Sequence, residues 1–455
     1  MTSCVKQYFA VICANLMTFN YGITVGWPSS TLPLLMSDET PLASGALTLF
    51  QVSCIGSILC IGGALGQMLY AWIADKYGRK PGMMMTFVPA VIHWLLIEFG
   101  TEFYALLVAR FLAGITAGGV FQVIPMIVSE ISSIEIRGRL GSFIMLFTNA
   151  GTVFAYIVCN YTSYFAVPWI SIGICTMFLV GYSFMHETPK YLMMIKKEKE
   201  ALDAMRFFNN GPFTDSKSAE ILKSEGFDVE KDEIRVKCTS LKLDRAAKRG
   251  FIIGNVLVNI VIFSGLFTFA NYYDMIFREA GSSLSPALSS IIVGSIQLAG
   301  TISASTVVER VGRKPLILVS AYGSAFFVTI MGLHSMLMDV GVDVSSFSWV
   351  PLICLSLLVF VAANGAQSLP MVIVGEIFAQ EVRGPLISLC LIGNWTMSFI
   401  LLLVFPYMVE YLKIYGAIWV FAVIECALAT VILVMLPETK GVSIERIVQI
   451  LGKGK

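Results

Sequence analysis

Along the 455 residues, apolar side chains come in runs of about twenty, separated by short polar turns. A bilayer core about 30 Å thick is crossed by roughly 20 residues of helix, so each run reads as one membrane-spanning helix. The runs fall near 8–27, 49–73, 82–100, 105–128, 141–160 and 165–185, and again near 251–275, 286–308, 315–337, 349–373, 385–408 and 414–436. The predicted fold class is an all-α membrane protein of twelve transmembrane helices in two halves of six. The halves are expected over 1–186 and 251–438, joined by a polar segment at 187–250 and followed by a tail at 439–455. Alternating charges such as Lys197, Glu198, Lys199 and Glu200 suit short amphipathic helices lying on a membrane face.

Composition agrees. Hydrophobic residues make up 56% of the chain and charged residues 13%, against roughly 25% charged in an average soluble domain. Lipid must therefore solvate much of the surface. A net charge of +1 argues against a nucleic-acid partner. The chain reads as a monomer. Among the ten cysteines, Cys54, Cys60, Cys159, Cys175, Cys354 and Cys390 lie in apolar runs, where cysteine acts as a small hydrophobe. With three histidines (His93, His186, His334) and no CxxC pair, no metal site or cofactor is expected. The first run lacks a basic leader and a small-residue cleavage site, so it reads as a retained helix and not as a signal peptide.

Basic residues set the orientation. Lys76, Arg79 and Lys80, then Arg137 and Arg139, then Arg310, Arg313 and Lys314, and finally Arg383 all lie in turns of one parity, whereas the opposite turns carry Arg278 and Lys413. The expected arrangement places the basic turns, both termini and the central segment in the cytoplasm. Asn160 of Asn160-Tyr161-Thr162 then falls outside as a glycosylation candidate close to the membrane, whereas Asn394-Trp395-Thr396 lies within a helix.

The two halves repeat one another. DKYGRKP, from Asp75, is echoed by ERVGRKP, from Glu309. Glu130 and Arg137 are seven residues apart, as are Glu376 and Arg383. Glu187 in HETPK answers Glu438 in PETK. Three motifs in the same order at the same topological positions mark two homologous halves around a midplane cavity. Charges at a helix-bundle rim are costly unless paired. Asp75, Arg79, Glu130 and Arg137 can thus form one cluster, and Glu309, Arg313, Glu376 and Arg383 its counterpart. Such clusters suit a latch between halves, and they also read as topology-setting charges. Arg110, deeper in the fourth run, calls for a carboxylate from another helix, or else it snorkels.

Taken together, DKYGRK, PMIVSEI with EIRG, HETPKYL, ERVGRK, GEIFAQEVRG and PETKG resemble the sugar porter family of the major facilitator superfamily, most of all its insect trehalose and hexose transporters. The resemblance covers about 70–441 and implies a sugar site at mid-membrane, with the two charge clusters holding the cytoplasmic side closed. It also exposes departures. Where the family carries sugar-binding amides on helix 7, this chain has Val261, Ile262 and Phe267. The family's helix 10 tryptophan is Met371, and a helix 5 glutamine is Met145. Asn394 and Trp395 match the family's helix 11 pair, and Gln297 stands where helix 8 often has asparagine. Asn364, Gln367, Asn271 and Tyr272, together with Asn20 and Tyr21, are further candidates to face a cavity. Each of these also reads as interhelical glue, as do Asn255 and Asn259.

The first run holds no Asp or Glu between Tyr8 and Trp27, which favours facilitated movement over proton coupling. No GxxxxGK[ST] loop or nucleophile–base constellation points to an ATP-driven pump or an enzyme. The expectation is a facilitative sugar transporter at the plasma membrane. A carrier of a more apolar, non-sugar solute and a transporter-like nutrient sensor are the alternatives.

Overall fold

The computed structural model describes residues 5–209, 245–282, 284–379, 382–440, 442 and 444–453; within these ranges, the side chains of a few residues, Glu309 and Arg383 among them, lie outside the described set. The membrane helices are α1 (Val5–Leu35), α2 (Leu49–Tyr77), α3 (Arg79–Phe99), α4 (Phe103–Ile131), α5 (Ile134–Tyr161) and α6 (Ala166–Ser183). After them come α7 (Arg245–Glu279), α8 (Pro286–Val311), α9 (Arg313–Asp339) and α10 (Val350–Asn364, continuing as Pro370–Ile377). The last helical run, Arg383–Met435, spans 53 residues and is two helices folded back on each other. Lys413 breaks it at φ 60° and ψ 169°, and the rings of Phe405 and Phe421 lie 5.9 Å apart. A straight helix would hold those two about 24 Å apart. The segments before and after Lys413 are α11 (383–412) and α12 (414–435).

Several helices outrun the apolar runs that announce them. α1 has 31 residues, about 46 Å of helix, because polar but helix-compatible residues extend it past the hydrocarbon at both ends. Local chemistry sets the starts of others. Thr48 and Gln51 form a reciprocal capping box at α2, and Ser285 caps α8 with Pro286 in its first turn. Between α2 and α3, and again between α8 and α9, the chain reverses through one glycine. Gly78 has φ 110° and ψ 165°, and Gly312 has φ 103° and ψ 164°, a region essentially closed to side chains.

Within the first half, α2 and α4 cross at backbone contact. Gly62 and Gly66 on one meet Gly114 and Gly118 on the other, where any Cβ would strike a facing backbone. Small residues at such crossings let van der Waals packing replace the hydrophobic drive that lipid cannot supply. α7 is broken at Gly265 (φ 81°) and again distorted at Tyr272. One carbonyl near these breaks, that of Ala270, accepts from Tyr156 Oη of α5 at 2.9 Å. Beyond the sixth helix, Pro189–Met194 and Glu198–Asn209 are short helices of the central segment, and Ile444–Lys453 packs Ile447 and Leu451 against the rest of the molecule.

The halves meet along α1–α7, α2–α11 and α5–α8. Their described polar contacts lie at mid-membrane and toward the face opposite the basic turns, where Asp274 N–H donates to Ser29 Oγ at 3.3 Å. Among the described residues, no side-chain hydrogen bond or ion pair joins the halves at the basic face.

Candidate functional site

The two glycine turns carry a cost that shapes the basic face. A glycine before the first turn of α3 or α9 has no side chain to cap the free N–H groups of that turn. Distant carboxylates supply the caps. Glu187 accepts from the backbone N–H of Arg79 and of Lys80 at 3.1 Å, and Glu438 accepts from those of Arg313 and Lys314 at 3.1 and 3.2 Å. A negative charge at a helix N-terminus is further favoured by the helix dipole. The lysines finish the match: Lys80 Nζ donates to Ser183 O and Lys314 Nζ to Leu433 O, each at 2.8 Å.

These caps hold the arginines in place. The Arg79 guanidinium is buried and meets Glu130 with Nε at 3.1 Å from both oxygens and Nη2 at 3.0 Å; its Nη1 donates to Ala74 O and lies 3.6 Å from Asp75. Thr188 Oγ1 donates to the second Glu130 oxygen at 2.6 Å, and Tyr191 lies under the guanidinium. The counterpart is looser. Arg313 Nη2 donates to Glu376 at 2.8 Å, with both side chains about a quarter exposed. Among the described residues, Arg313 Nε, Glu376 Oε2 and Thr439 Oγ1 find no partner. The paired caps differ in electrostatics as well. Burial pushes the Glu187 carboxyl above the usual range. At Glu438 burial acts in the same direction, but the backbone N–H groups of Lys440, Arg313, Lys314 and Thr439 outweigh it and hold the carboxyl below that range.

Asp75, Arg79 and Glu130 are thus together, and so are Arg313 and Glu376, each set inside its own half. Arg137 stands apart, because its guanidinium turns back to Ser132 O at 3.2 Å and makes no ion pair among the described residues. The side chains of Glu309 and Arg383 lie outside the described set. Arg110 overturns its expectation too. Fully buried, it takes no carboxylate among the described residues. It donates to Thr24 O at 2.7 Å and Ile55 O at 3.2 Å beneath the Trp27 ring. Backbone carbonyls of α1 and α2 suffice, since a guanidinium spreads its charge over five N–H donors.

At mid-membrane, uncharged polar groups join the halves. Asn149 of α5 donates through Nδ2 to Thr301 Oγ1 at 2.7 Å and to Gln367 Oε1 at 3.4 Å, while its Oδ1 accepts from Gln297 Nε2 at 3.4 Å. On the other flank, Trp395 Nε1 donates to Gln67 Oε1 at 3.0 Å, with the indole resting on Gly63. Tyr272 Oη donates to Leu402 O at 3.1 Å, and its ring stacks on Phe405. Of the other candidates, Asn364 accepts from Ser303 Oγ at 2.8 Å, and Asn394 is half-buried with no hydrogen bond among the described residues. Asn271 is bonded to its own helix, with Oδ1 buried and unpartnered.

Elsewhere, side chains act as struts. Asn20 ties α1 to Ser171 O and Trp94, away from the seam, and Tyr21 is buried edge-on against Phe121. Asn255 and Asn259 bond their own helix. Ile262 is buried, while Val261 and Phe267 are half-buried. Asn160 is held by Ser30 Oγ and Tyr156 O. Sequence reasoning passed over Asn149, Gln67 and Thr301. Their only signal is an amide or hydroxyl inside an otherwise apolar run, shared by many structural residues.

Two six-helix halves, a polar seam between them at mid-membrane and matched charged turns at one face define a multi-pass transporter with the major facilitator fold. The chain belongs to the sugar (and other) transporter family, whose profile matches residues 8–451. It is 26% identical over 460 residues to the facilitated trehalose transporter Tret1 of Bombyx mori, covering 98% of this chain and 87% of that protein. To the facilitated glucose transporter member 8 of solute carrier family 2 from Mus musculus it is 28% identical over 466 residues, covering 97% and 94%. The inward-open xylose transporter XylE from E. coli superposes with a TM-score of 0.76 at 20% identity, covering 96% of this chain and 98% of that one.

Proposed function

We infer that this chain moves a neutral polyhydroxylated solute, a hexose or a trehalose-like disaccharide, down its gradient across the plasma membrane by alternating access. The observation that carries this reading is the seam itself. Asn149, Gln297, Thr301, Gln367, Gln67 and Trp395 converge from both halves at mid-membrane, and every one is an uncharged hydrogen-bonding group. Amides and hydroxyls suit sugar hydroxyls, and an indole suits the apolar face of a sugar ring. None of these six side chains carries a proton to exchange near neutral pH, which supports movement uncoupled from protons. The similarity to transporters named for trehalose and glucose supports the same substrate class.

On this reading the basic face is cytoplasmic, together with both termini, and the chain is a carrier and not an enzyme. The two charge clusters brace each half as a rigid body. They approach one another when the cytoplasmic side shuts, with Arg137, Glu309 and Arg383 on the surfaces that then meet. Uptake of labelled glucose and trehalose into liposomes holding the purified protein tests the proposal, with and without a proton uncoupler. Saturable uptake that ignores the uncoupler is expected. Absence of any sugar uptake would overturn it and favour a less polar solute, in keeping with Val261, Ile262 and Phe267 on α7.

A further inference from the structure

Asn149 is the one described side chain that bonds three residues of the opposite half at once, Gln297 and Thr301 on α8 and Gln367 just past the first segment of α10. It is 5% exposed, and Gln297 and Thr301 are 6% exposed each, so the three polar groups meet inside the molecule. Two of the three bonds are long, at 3.4 Å, well beyond the usual 2.9–3.0 Å of an N–H···O bond. The amides therefore satisfy one another, but loosely. A hydroxyl is both donor and acceptor, and one placed between Asn149 and Gln367 or Gln297 replaces a long bond with two of ordinary length.

We propose that Asn149 both binds the solute and locks the empty carrier: its amide holds the face opposite the basic turns shut by bonding Gln297, Thr301 and Gln367, and solute hydroxyls take over those bonds. The inference rests on the reading of the solute as a sugar. It moves the hydroxyl-reading task from α7, where Val261, Ile262 and Phe267 offer no hydrogen bond, to a cluster shared by α5, α8 and α10. The close α5–α8 approach is built for it. One turn or two further out, Gly294 of α8 packs against Tyr156 and Val153 of α5, so the amides are held at bonding range by apolar contacts that do not depend on them.

The lock has a kinetic consequence. An empty carrier must break Asn149's bonds to reorient, whereas a loaded one has already exchanged them. Loaded exchange should outrun net flux, and losing the amide should erase the difference.

The test uses the full chain, reconstituted in liposomes for flux and in nanodiscs for hydrogen–deuterium exchange. Asn149→Leu keeps the branched shape and the number of side-chain heavy atoms and removes the hydrogen bonds; Gln367→Leu breaks one of the same bonds from the other half and serves if the first variant folds poorly. Glucose and trehalose are the probes. The expected result is a KM about tenfold higher or more, an exchange-to-net-flux ratio falling toward one, and, with no sugar present, faster deuterium uptake in Leu266–Glu279 of α7 but not in α3 or α6. Wild-type KM and ratio in Asn149→Leu would overturn the proposal. A raised KM with unchanged deuterium uptake would also overturn it, because Asn149 would then contact solute without locking the seam. If the wild-type protein carries neither sugar while the variant still loosens α7, the sugar reading fails and the solute-binding half of the proposal fails with it, with the lock alone upheld.

Discussion

Trp395 and Gln67 meet across the two halves, indole Nε1 to amide Oε1 at 3.0 Å, and both are buried. Trp395→Phe keeps most of the ring and strands the Gln67 oxygen, which costs about 1–3 kcal/mol. Gln67→Leu in turn strands the indole N–H. The double variant Gln67→Leu/Trp395→Phe should recover much of the loss, since both polar groups leave together. Thermal unfolding of the purified protein across the full cycle reads this coupling. Additive losses would show that the bond is incidental.

Gly78→Ala is expected to destabilise the protein by about 1–3 kcal/mol, since its backbone lies in a glycine-only region. A Cβ there also presses on the carboxylate of Glu187 and so disturbs the cap on α3. Gly312→Ala meets the same backbone penalty, but its Cβ would stand 3.3 Å from Glu438, so its loss should be smaller. Melting temperatures in detergent compare the two; equal losses would mean that the Glu187 contact adds nothing.

The two capping carboxylates should respond to acid in opposite directions. The raised pKa of buried Glu187 means the fold holds that proton more tightly than the unfolded chain does. Its contribution to stability is full below the ordinary value of 4.5 and is lost as pH rises through the folded value. Glu438, held low by its N–H donors, contributes above 4.5 and loses that contribution as pH falls through its folded value. Between about pH 7 and pH 4, wild type should gain on Glu187→Gln and lose ground to Glu438→Gln. Melting curves that shift in the same sense for both variants would contradict this.

Glu130→Gln leaves Arg79 buried and short of its counter-charge, with an expected cost of about 3–5 kcal/mol. Glu376→Gln faces an arginine a quarter exposed, where water takes up part of the charge, so its cost should be clearly less. Folded yield and melting temperature report both. A larger effect at Glu376 would refute the asymmetry drawn between the two clusters.

Arg110→Lys should be poorly tolerated although it preserves the charge. An ammonium cannot span Thr24 O and Ile55 O in the fixed geometry of the guanidinium fork. Surface expression measured beside Arg79→Lys provides the control, since both sites then lose the same group.

The membrane class, the twelve helices, the duplicated halves and the family were all legible in the chain. Each rests on information local to a segment: an apolar run of bilayer length, or a motif repeated in order. That Asp75, Arg79, Glu130 and Arg137 share one membrane level, as do Glu309, Arg313, Glu376 and Arg383, could be read from helix ends alone, but which of them pair could not. The turn between α11 and α12 at Lys413 was legible only as a gap between two runs.

What no segment carries is which faces of separate helices meet. Arg110 was expected to take a carboxylate from another helix or to snorkel, but the packing of α1 and α2 against α4 offers carbonyls. Arg137 shares the level of Glu130 but turns back on Ser132. Asn149 and Gln67 sit in apolar runs with nothing local to distinguish them from Asn20, an interhelical strut. Their role comes from the approach of α5 to α8 and of α2 to α11, set by glycine contacts and side-chain packing distant in sequence. Hydropathy and local motifs determined the elements and their order. The tertiary structure alone decided the seam, because a hydrogen bond across two halves depends on positions that neither half fixes by itself.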